Sequence, residues 1–391
     1  MAAGSPWALS AAPHVAVIGG GIVGCSIAYH LAKSGARVTL IEQHALATGA
    51  SHGTFAWINA TWAKQPRHYH QFSQAGVKAW RRLEHELTIP VKWGGSLEWF
   101  ASATRQQQLL SDIKEQIAWG EPARMVAKER LEQLEPNVDF SGTSDAAFSP
   151  NDGAVNPVLA ATIMARAAAG LGAVIKEQCR VESATELPSG QVMLHTSAGM
   201  LAIDRYVLAT GASEGMAQQL ADIALPQRST PGVIVITAPQ PPLLNRIVVA
   251  PGVHIHQRQD GRIVLGEQDG APATTAHVAR LKGRPRQFPN TALATAHAQR
   301  MLTIAGTVVP GLGSAVVEEV IIGWRPLPLD GLPVIGSVPR KRAAYVAIMH
   351  SGVSLAPHVG DVVAREIMTG QSVPALKDYR PERHFMSTGQ Y

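Results

Sequence analysis

The alternation of apolar and polar positions is clearest near the start of the chain. Residues 14–18 form a short apolar run that ends in three glycines, which predicts a buried strand followed by a tight turn. Residues 22–34 place apolar side chains at helical spacing and stop at Gly35, and residues 37–41 form a second apolar run. This order predicts a βαβ unit with a right-handed crossover and a parallel sheet.

The composition changes after this unit and changes back near the middle of the chain. Residues 66–136 are charged and amphipathic, which predicts a layer of surface helices around a short strand. An α/β pattern then resumes. The elements predicted in these two stretches are helices at 75–87, 104–119 and 157–170, and strands at 97–100, near 174–181, at 192–196 and at 206–209.

Short alternating runs dominate residues 231–323 and predict an antiparallel sheet. Two of these runs, 254–257 and 263–266, flank the turn Asp260-Gly261, which is a typical hairpin signal. The chain then returns to the first pattern. The last predicted elements are a strand at 345–348 and a helix at 355–368 that ends at Gly370.

Composition narrows the class of protein. The 391 residues are 46% hydrophobic and 16% charged, which excludes a disordered chain. At about 150 residues per domain, the length predicts two or three domains. The two cysteines, Cys25 and Cys179, exclude a disulfide framework and favour the reducing cytoplasm. Residues 1–13 lack the pattern of a signal peptide and are expected to fray. The histidines are dispersed, so no metal site is expected.

The net charge of +5 is mildly basic and is not gathered into dense Lys/Arg runs, so binding to nucleic acid is not expected. Residues 271–317 nevertheless contain no acidic residue. A solvated face explains this stretch, and contact with an anionic membrane surface is the alternative. The basic residues singled out in this stretch are Arg280, Lys282, Arg284, Arg286 and Arg300.

The glycines after the first strand form the pattern Gly19-x-Gly21-x-x-Gly24, in the strand-to-helix context that a dinucleotide-binding fingerprint requires. The first glycine permits the tight turn, the second lets the backbone approach a pyrophosphate, and the third lets helix and strand pack closely. Glu42 ends the second strand, where a carboxylate accepts hydrogen bonds from a ribose. Cys25 is interpreted as a packing residue. The pattern predicts an adenine-dinucleotide cofactor without separating FAD from NAD.

Further motifs follow in order along nearly the whole chain. They are Gly49-Ala50-Ser51, Asp152-Gly153 with Pro157, the run 206–211, Gly323-Trp324-Arg325-Pro326, the run 330–336 and the run 350–357. Together with residues 14–51 they resemble the FAD-dependent D-amino-acid oxidase family, whose members include glycine oxidase, sarcosine oxidase and D-amino-acid dehydrogenase. The resemblance implies an α/β fold (α+β overall) in which a Rossmann-like FAD-binding domain is interleaved with an antiparallel-sheet substrate domain.

The resemblance also implies where the domains lie. The FAD-binding domain is expected at 13–65, 150–215 and 325–378, the substrate domain at 66–149 and 216–324, and tails at 1–12 and 379–391. The start of the last helix would present N–H groups and the positive end of its dipole to the flavin. The residues expected to bind the cofactor are Gly19, Gly21, Ile22, Val23, Gly24, Glu42, Gln43, Ser51, His52, Gly53, Val181, Thr210, Gly211, Gly352, Val353, Ser354 and Leu355.

FAD is expected to be bound noncovalently. His52 lies in a loop where some relatives carry a histidine near the flavin or attached to it, but its register does not match the attaching residue. Cys179 lies outside the C-terminal motifs, so no cysteine is a candidate for a covalent link to the flavin.

The resemblance suggests three residues for the chemistry. Arg325 matches the arginine that clamps the substrate carboxylate in glycine oxidase and its relatives, and a guanidinium offers a bidentate fork. His254 stands where glycine-oxidase-like proteins often place a tyrosine. It and His350 are expected either to contact the substrate, with a side chain that can titrate near neutral pH, or to be structural. Trp57 and Tyr69 either line an aromatic substrate pocket or pack between the domains.

The implied activity is oxidation of the C–N bond of an amino acid or N-substituted amino acid to an imine by hydride transfer to flavin N5. D-amino acids, glycine- or sarcosine-like compounds and opine-like compounds are the candidate substrates, with oxygen or a quinone as electron acceptor. Two alternatives stay open: oxidation of a 2-hydroxy acid, and a non-catalytic FAD-binding subunit of a hetero-oligomeric oxidase. The expected location is the cytoplasm, with or without peripheral contact to the inner face of a membrane, and the oligomeric state stays open.

Overall fold

The computed structural model describes residues 12–60, 64–213, 215–268 and 286–386. The helices in these ranges are α1 (Ile22–Lys33), α2 (Arg67–Leu87), α3 (Ala103–Ala118), α4 (Lys128–Leu134), α5 (Pro157–Gly170), α6 (Met216–Ala221), α7 (Thr291–Val308) and α8 (Gly352–Thr369). The strands are β1 (His14–Ile18), β2 (Arg37–Ile41), β3 (Trp57–Ile58), β4 (Val91–Trp93), β5 (Ser96–Glu98), β6 (Arg124–Ala127), β7 (Asp145–Ser149), β8 (Gly153–Val155), β9 (Val174–Lys176), β10 (Val181–Glu186), β11 (Val192–Thr196), β12 (Gly199–Ile203), β13 (Arg205–Leu208), β14 (Gln227–Thr237), β15 (Ile247–Ala250), β16 (Val253–Gln257), β17 (Ile263–Gly266), β18 (Val317–Pro328), β19 (Val334–Val338) and β20 (Lys341–Ile348).

The first sheet has six strands in the order β19-β20-β13-β1-β2-β9. Its strands run parallel except β19, which pairs antiparallel with β20 at the edge. Val15 and Val17 point to a core shared with α1, α5 and α8, whereas Ala16 and Ile18 point to a core shared with α6 and the β10-β11-β12 sheet. Both faces are covered, which explains why β1 is a continuous apolar run.

The second sheet has eight strands in the order β18-β14-β17-β16-β15-β5-β7-β6. It is antiparallel except for the β15–β5 pair. The predicted hairpin is confirmed as β16–β17, with Gly261 in its turn at φ +85°. Helix α7 packs on one face of this sheet. The predicted combination of a Rossmann-like parallel sheet with an antiparallel sheet is confirmed.

Several predicted boundaries differ from the structure. The run 174–181 forms two strands, because Gln178 adopts φ +53° and β10 joins a separate sheet. Helix α2 begins at Arg67, eight residues earlier than predicted, and α8 begins at Gly352. Residues 379–386 do not form the expected loose tail, because Tyr379 is buried and neighbouring arginines form ion pairs.

Some expectations lie outside the described residues. Residues 1–11 of the expected N-terminal tail are among them, as are Arg280, Lys282 and Arg284 of the basic stretch. Within the described ranges, no helix combines the length and the apolar character needed to cross a lipid bilayer.

Candidate functional site

The turn between β1 and α1 leaves room only for backbone. Gly19 has φ +109°, and a Cβ there would lie 2.4 Å from the carbonyl oxygen of Ala209, just beyond β13. A Cβ on Gly24 would lie 1.9 Å from the carbonyl oxygen of Gly19. Both distances are far below van der Waals contact, so the glycines of the fingerprint are a steric requirement where β1, α1 and β13 meet.

Two side chains hold this turn. Ser51 Oγ accepts a hydrogen bond at 3.0 Å from the N–H of Ile22, the first residue of α1. The Glu42 carboxylate accepts from the N–H of Gly20 at 2.7 Å and from the N–H of His44 at 2.9 Å. A carboxylate has about four acceptor sites, so Glu42 keeps capacity for ribose hydroxyls. The sequence did not reveal that Ser51 caps α1.

Both cysteines are buried. The Cys25 thiol donates to the carbonyl oxygen of Gly20 at 3.4 Å, and burial raises its pKa above the ordinary value. The interpretation of Cys25 as a packing residue is therefore confirmed. The backbone N–H of Cys179 donates to the carbonyl oxygen of Glu42 at 2.9 Å, so Cys179 lies at the end of β2.

A cavity of about 1080 Å³ starts at the glycine turn and reaches β16 and β18 of the second sheet. Most residues expected from the sequence to bind the cofactor or the substrate line this one space. The lining includes Gly19, Gly21, Ile22, Val23, Glu42, Gln43, Ser51, Gly53, Val181, Thr210, Gly211, His254, Arg325, His350, Gly352, Val353 and Ser354.

Three of the expected residues do not line the cavity. Gly24 is packed against Gly19, and Leu355 is fully buried in the core beneath the first sheet. His52 turns away, with Nε2 3.2 Å from a carboxylate oxygen of Glu319. These positions support the walls of the cavity, because their side chains, or the space a side chain would need, are engaged elsewhere.

Buried hydroxyls in the wall give a test of whether a cofactor fits. Thr210 Oγ1 and Ser229 Oγ are buried and have no hydrogen-bond partner among the described residues. Both residues line the cavity. A buried polar group without a partner costs about 1–3 kcal/mol, which the polar groups of a bound molecule would offset. Together with the glycine turn and Glu42, these hydroxyls fit an adenine dinucleotide.

Helix α8 reaches the cavity with its N-terminus. Ser354 Oγ accepts from the N–H of Asn59 at 3.0 Å and donates to the carbonyl oxygen of Trp57 at 2.9 Å, which ties β3 to the helix. The N-cap residue is Ser351, and its side chain makes no capping bond. Tyr69 donates instead to Ser351 Oγ at 3.1 Å. The first turn of α8 therefore presents its N–H groups towards the cavity.

A buried tryptophan compensates for a proline in this helix. Pro357 has no N–H, so the carbonyl oxygen of Val353 lacks the usual helical donor. Trp80 Nε1 donates to that oxygen at 2.7 Å, and the Trp80 side chain is fully buried. Helix α2 thereby fixes the end of α8 that lines the cavity.

Arg325, His254 and His350 come together at the other end of the cavity. The Arg325 side chain is exposed to the cavity, and its Nη2 donates to the carbonyl oxygen of Pro231 at 3.2 Å. Burial, with the charges of Arg105 and Arg325, lowers the pKa of His254 to about 4. Burial, with the charges of Arg325 and Lys64, lowers the pKa of His350 to about 3. The expectation that a histidine here titrates near neutral pH is wrong, because burial and these cations keep both rings neutral.

The Asp152-Gly153 motif and Trp57 form one unit. Asp152 is buried, and its carboxylate accepts from Trp57 Nε1 at 2.9 Å and from Ser96 Oγ at 2.8 Å. The Trp57 ring lies edge-on to Phe55 and His254, with centroids 6.5 and 6.1 Å away. Trp57 therefore lines the cavity in a fixed orientation.

Lys64 is a site residue that sequence reasoning missed, because no motif contains it. Lys64 lines the cavity, and its Nζ donates to the carbonyl oxygen of Asn59 at 3.0 Å and lies 5.8 Å from the centre of the Tyr69 ring. Burial lowers the pKa of Lys64 to about 8, against the opposing charge of Asp152.

Two members of the basic stretch fall within the described ranges. Arg286 lines the cavity, and Arg300 forms an ion pair with Glu267, which also lines it. These two arginines therefore face the site and are not part of a solvated surface. The described residues contain no group of three or more His, Cys, Asp or Glu side chains that could hold a metal ion.

Comparison with known proteins agrees with this architecture. The sequence profile of the family described as FAD dependent oxidoreductase (DAO) matches residues 14–366. Glycine oxidase of Bacillus licheniformis is 28% identical over 90% of this chain and 92% of its own length. A subunit of opine oxidase from Agrobacterium tumefaciens (strain Ach5) is 24% identical over 94% of this chain and 96% of its own. The crystal structure of glycine oxidase from Geobacillus kaustophilus superposes with a TM-score of 0.83 at 24% identity, covering 96% of this chain and 100% of that one. The chain belongs to the FAD dependent oxidoreductase (DAO) family.

Proposed function

We propose that this protein oxidises the C–N bond of an amino acid or an N-substituted amino acid to an imine. The observation that carries the proposal is the position of Arg325, whose side chain opens into the same cavity as the glycine turn. A guanidinium there can bind the substrate carboxylate through a bidentate contact. The relatives named as glycine oxidase and opine oxidase support an amino-acid substrate.

FAD, when bound, supplies the two-electron oxidation, and the chain binds and orients both reactants. We assign the fingerprint turn, Glu42 and Ser51 to the cofactor, and the N–H groups at the start of α8 to stabilising negative charge on it. Arg325 fixes the substrate by its carboxylate. Neutral His254 and His350 offer hydrogen bonds without adding positive charge, so an amine can stay in the neutral form that loses electrons readily.

The division of the chain follows from these roles. We assign residues 13–65, 150–215 and 325–378 to the cofactor and residues 66–149 and 216–324 to the substrate. Strand β18 crosses the boundary between the two, because it runs through Trp324 and Arg325. This continuity gives a short covalent path from the second sheet to the carboxylate-binding residue.

Anaerobic reduction of the flavin tests the proposal directly. A panel of D-amino acids, glycine, sarcosine, proline analogues and opines is mixed with the holoenzyme, and loss of the yellow absorbance is recorded. We expect bleaching by at least one carboxylate-bearing amine. Ammonia or amine release separates this activity from oxidation of a 2-hydroxy acid. Binding of FAD with no bleaching by any member would favour a non-catalytic subunit, the alternative that the similarity to one subunit of opine oxidase supports.

Substitution of the carboxylate-binding residue gives a second test. Arg325→Ala removes charge-assisted hydrogen bonds worth about 1.5–3 kcal/mol, so we expect KM to rise roughly 10- to 100-fold with FAD still bound. Arg340→Ala, at an exposed position just before β20, is the matched control and should change neither quantity. An unchanged KM in Arg325→Ala would remove the assignment.

We further propose that FAD is bound noncovalently and that oxygen or a quinone accepts the electrons in the cytoplasm. The side chain of His52 is directed to Glu319, and Cys179 lies at the Glu42 end of the cavity, which supports noncovalent binding. Yellow colour retained on acid-precipitated protein would contradict this. Hydrogen peroxide formed during turnover would identify oxygen as the acceptor, and sedimentation with anionic vesicles would reveal peripheral membrane contact.

A further inference from the structure

Two cations act on the same point of the cavity. His350 feels the positive charges of both Arg325 and Lys64, although these residues are 261 positions apart in the chain. Lys64 is held by the carbonyl oxygen of Asn59, whose own N–H binds Ser354 in the first turn of α8. The ammonium group is therefore anchored to a fixed part of the wall.

The acidic residues of the lining do not neutralise this pair. Glu267 is paired with Arg300, and Asp330 accepts two hydrogen bonds from Arg383 at 2.8 and 3.0 Å. The carboxylate of Glu42 is engaged by backbone N–H groups at the glycine turn. Each of these charges already has a partner of its own, so the part of the cavity around His350 is electropositive.

Asp152 is the carboxylate whose charge reaches Lys64, and it is committed to other donors. Its Oδ2 accepts from both Trp57 and Ser96, and no described carboxylate lies within 4.0 Å of Lys64 Nζ. Burying an ammonium group beside a carbonyl oxygen and an aromatic ring, without a close carboxylate, costs stability. A bound anion would recover this cost.

We propose that Lys64 binds a second carboxylate of the substrate, which makes the substrate a dicarboxylic amine, either an N-carboxyalkyl amino acid or an amino acid with an acidic side chain. The proposal rests on the function proposed above, because it takes Arg325 as the site of the first carboxylate. It assigns the two negative ends of one molecule to two cations that surround the same histidine.

Binding of unreactive analogues to the holoenzyme tests this assignment. Thiodiglycolate carries two carboxylates around a thioether, and (methylthio)acetate is the same molecule with one carboxymethyl group reduced to methyl. Neither contains a C–N bond, so both report binding without turnover. Dissociation constants are measured by isothermal titration calorimetry on the wild type, Lys64→Met, Lys64→Arg and the control Lys114→Met, whose lysine lies exposed on α3.

We expect wild type to prefer thiodiglycolate. Lys64→Met should weaken thiodiglycolate roughly 10- to 100-fold and leave (methylthio)acetate within about twofold, because one charge-assisted hydrogen bond is lost. Lys64→Arg should restore most of the preference, and Lys114→Met should behave as wild type. Flavin absorbance of each variant reports its FAD content independently.

Three results would overturn the assignment of Lys64. They are an unchanged preference in Lys64→Met, equal weakening of both ligands, and loss of FAD from Lys64→Met with ligand preference retained in the refilled protein. Failure of the proposed function gives a different result, because Arg325→Ala would then leave the binding of both analogues unchanged.

Discussion

Gly53→Ala is the substitution whose effect follows most directly from the structure. A Cβ on Gly53 would lie 2.4 Å from Cα and 2.5 Å from N of Gly323, and 3.1 Å from the carbonyl carbon of Ile322. Ordinary contact needs about 3.4 Å or more, so the loop and β18 must separate by about 1 Å. All three atoms belong to backbone, which cannot rotate away. Overpacking of this kind costs about 1–3 kcal/mol.

The displacement has a predicted direction of effect on function. Arg325 lies two residues beyond Gly323 on β18, and Ser51 lies two residues before Gly53. Moving one strand from the other therefore changes the distance between the carboxylate-binding residue and the cap of α1. We expect lower stability in urea denaturation of the FAD-saturated protein and a higher KM for a carboxylate substrate.

Gly49→Ala is the matched control in the same loop. A Cβ on Gly49 meets no atom within 4 Å, so this variant should retain the wild-type unfolding free energy and KM. The reasoning is refuted if Gly53→Ala and Gly49→Ala have the same unfolding midpoint and the same KM.

Three further predictions concern single contacts. Ser51→Ala removes the acceptor for the N–H of Ile22 and should lower the unfolding free energy by about 1 kcal/mol and weaken FAD binding, whereas Ser51→Thr keeps the acceptor; a fluorescence titration of FAD would measure this. Trp80→Phe leaves the carbonyl oxygen of Val353 without a donor and should cost about 1–3 kcal/mol in urea denaturation; a cost below about 0.5 kcal/mol would contradict the role given to Trp80. Burial lowers the pKa of His256 to about 3, and an unfolded histidine titrates near 6.5, so the unfolded state binds the extra proton in between. Stability should therefore fall by about 1.4 kcal/mol per pH unit from this histidine alone as the pH drops below about 6.5, and urea denaturation of His256→Gln between about pH 4 and 8 should show a shallower slope.

Local patterns carried most of the fold. The strands at 14–18 and 37–41, the helix at 157–170 and the hairpin around Asp260-Gly261 were readable because apolar periodicity and turn residues act over a few positions. The boundaries that moved depend on distant partners. Helix α8 starts three residues early because Ser354 is held by β3, which is nearly 300 residues away in the chain.

The candidate site divides in the same way. The glycine turn and Glu42 lie in one βαβ unit, so the spacing of residues along the chain reveals them. Lys64, the contact of Gly53 with Gly323, and the neutral state of His350 could not be read from spacing, because each depends on groups brought together from separate segments.

The sequence by itself determined the cofactor class, the order of the motifs and the two kinds of sheet, since these follow from short-range steric and hydrophobic requirements. Only the tertiary structure decided the electrostatics of the substrate end. Burial and the charges of Arg325 and Lys64 act through space, and they turn two histidines expected to titrate near neutral pH into neutral groups beside an electropositive pocket.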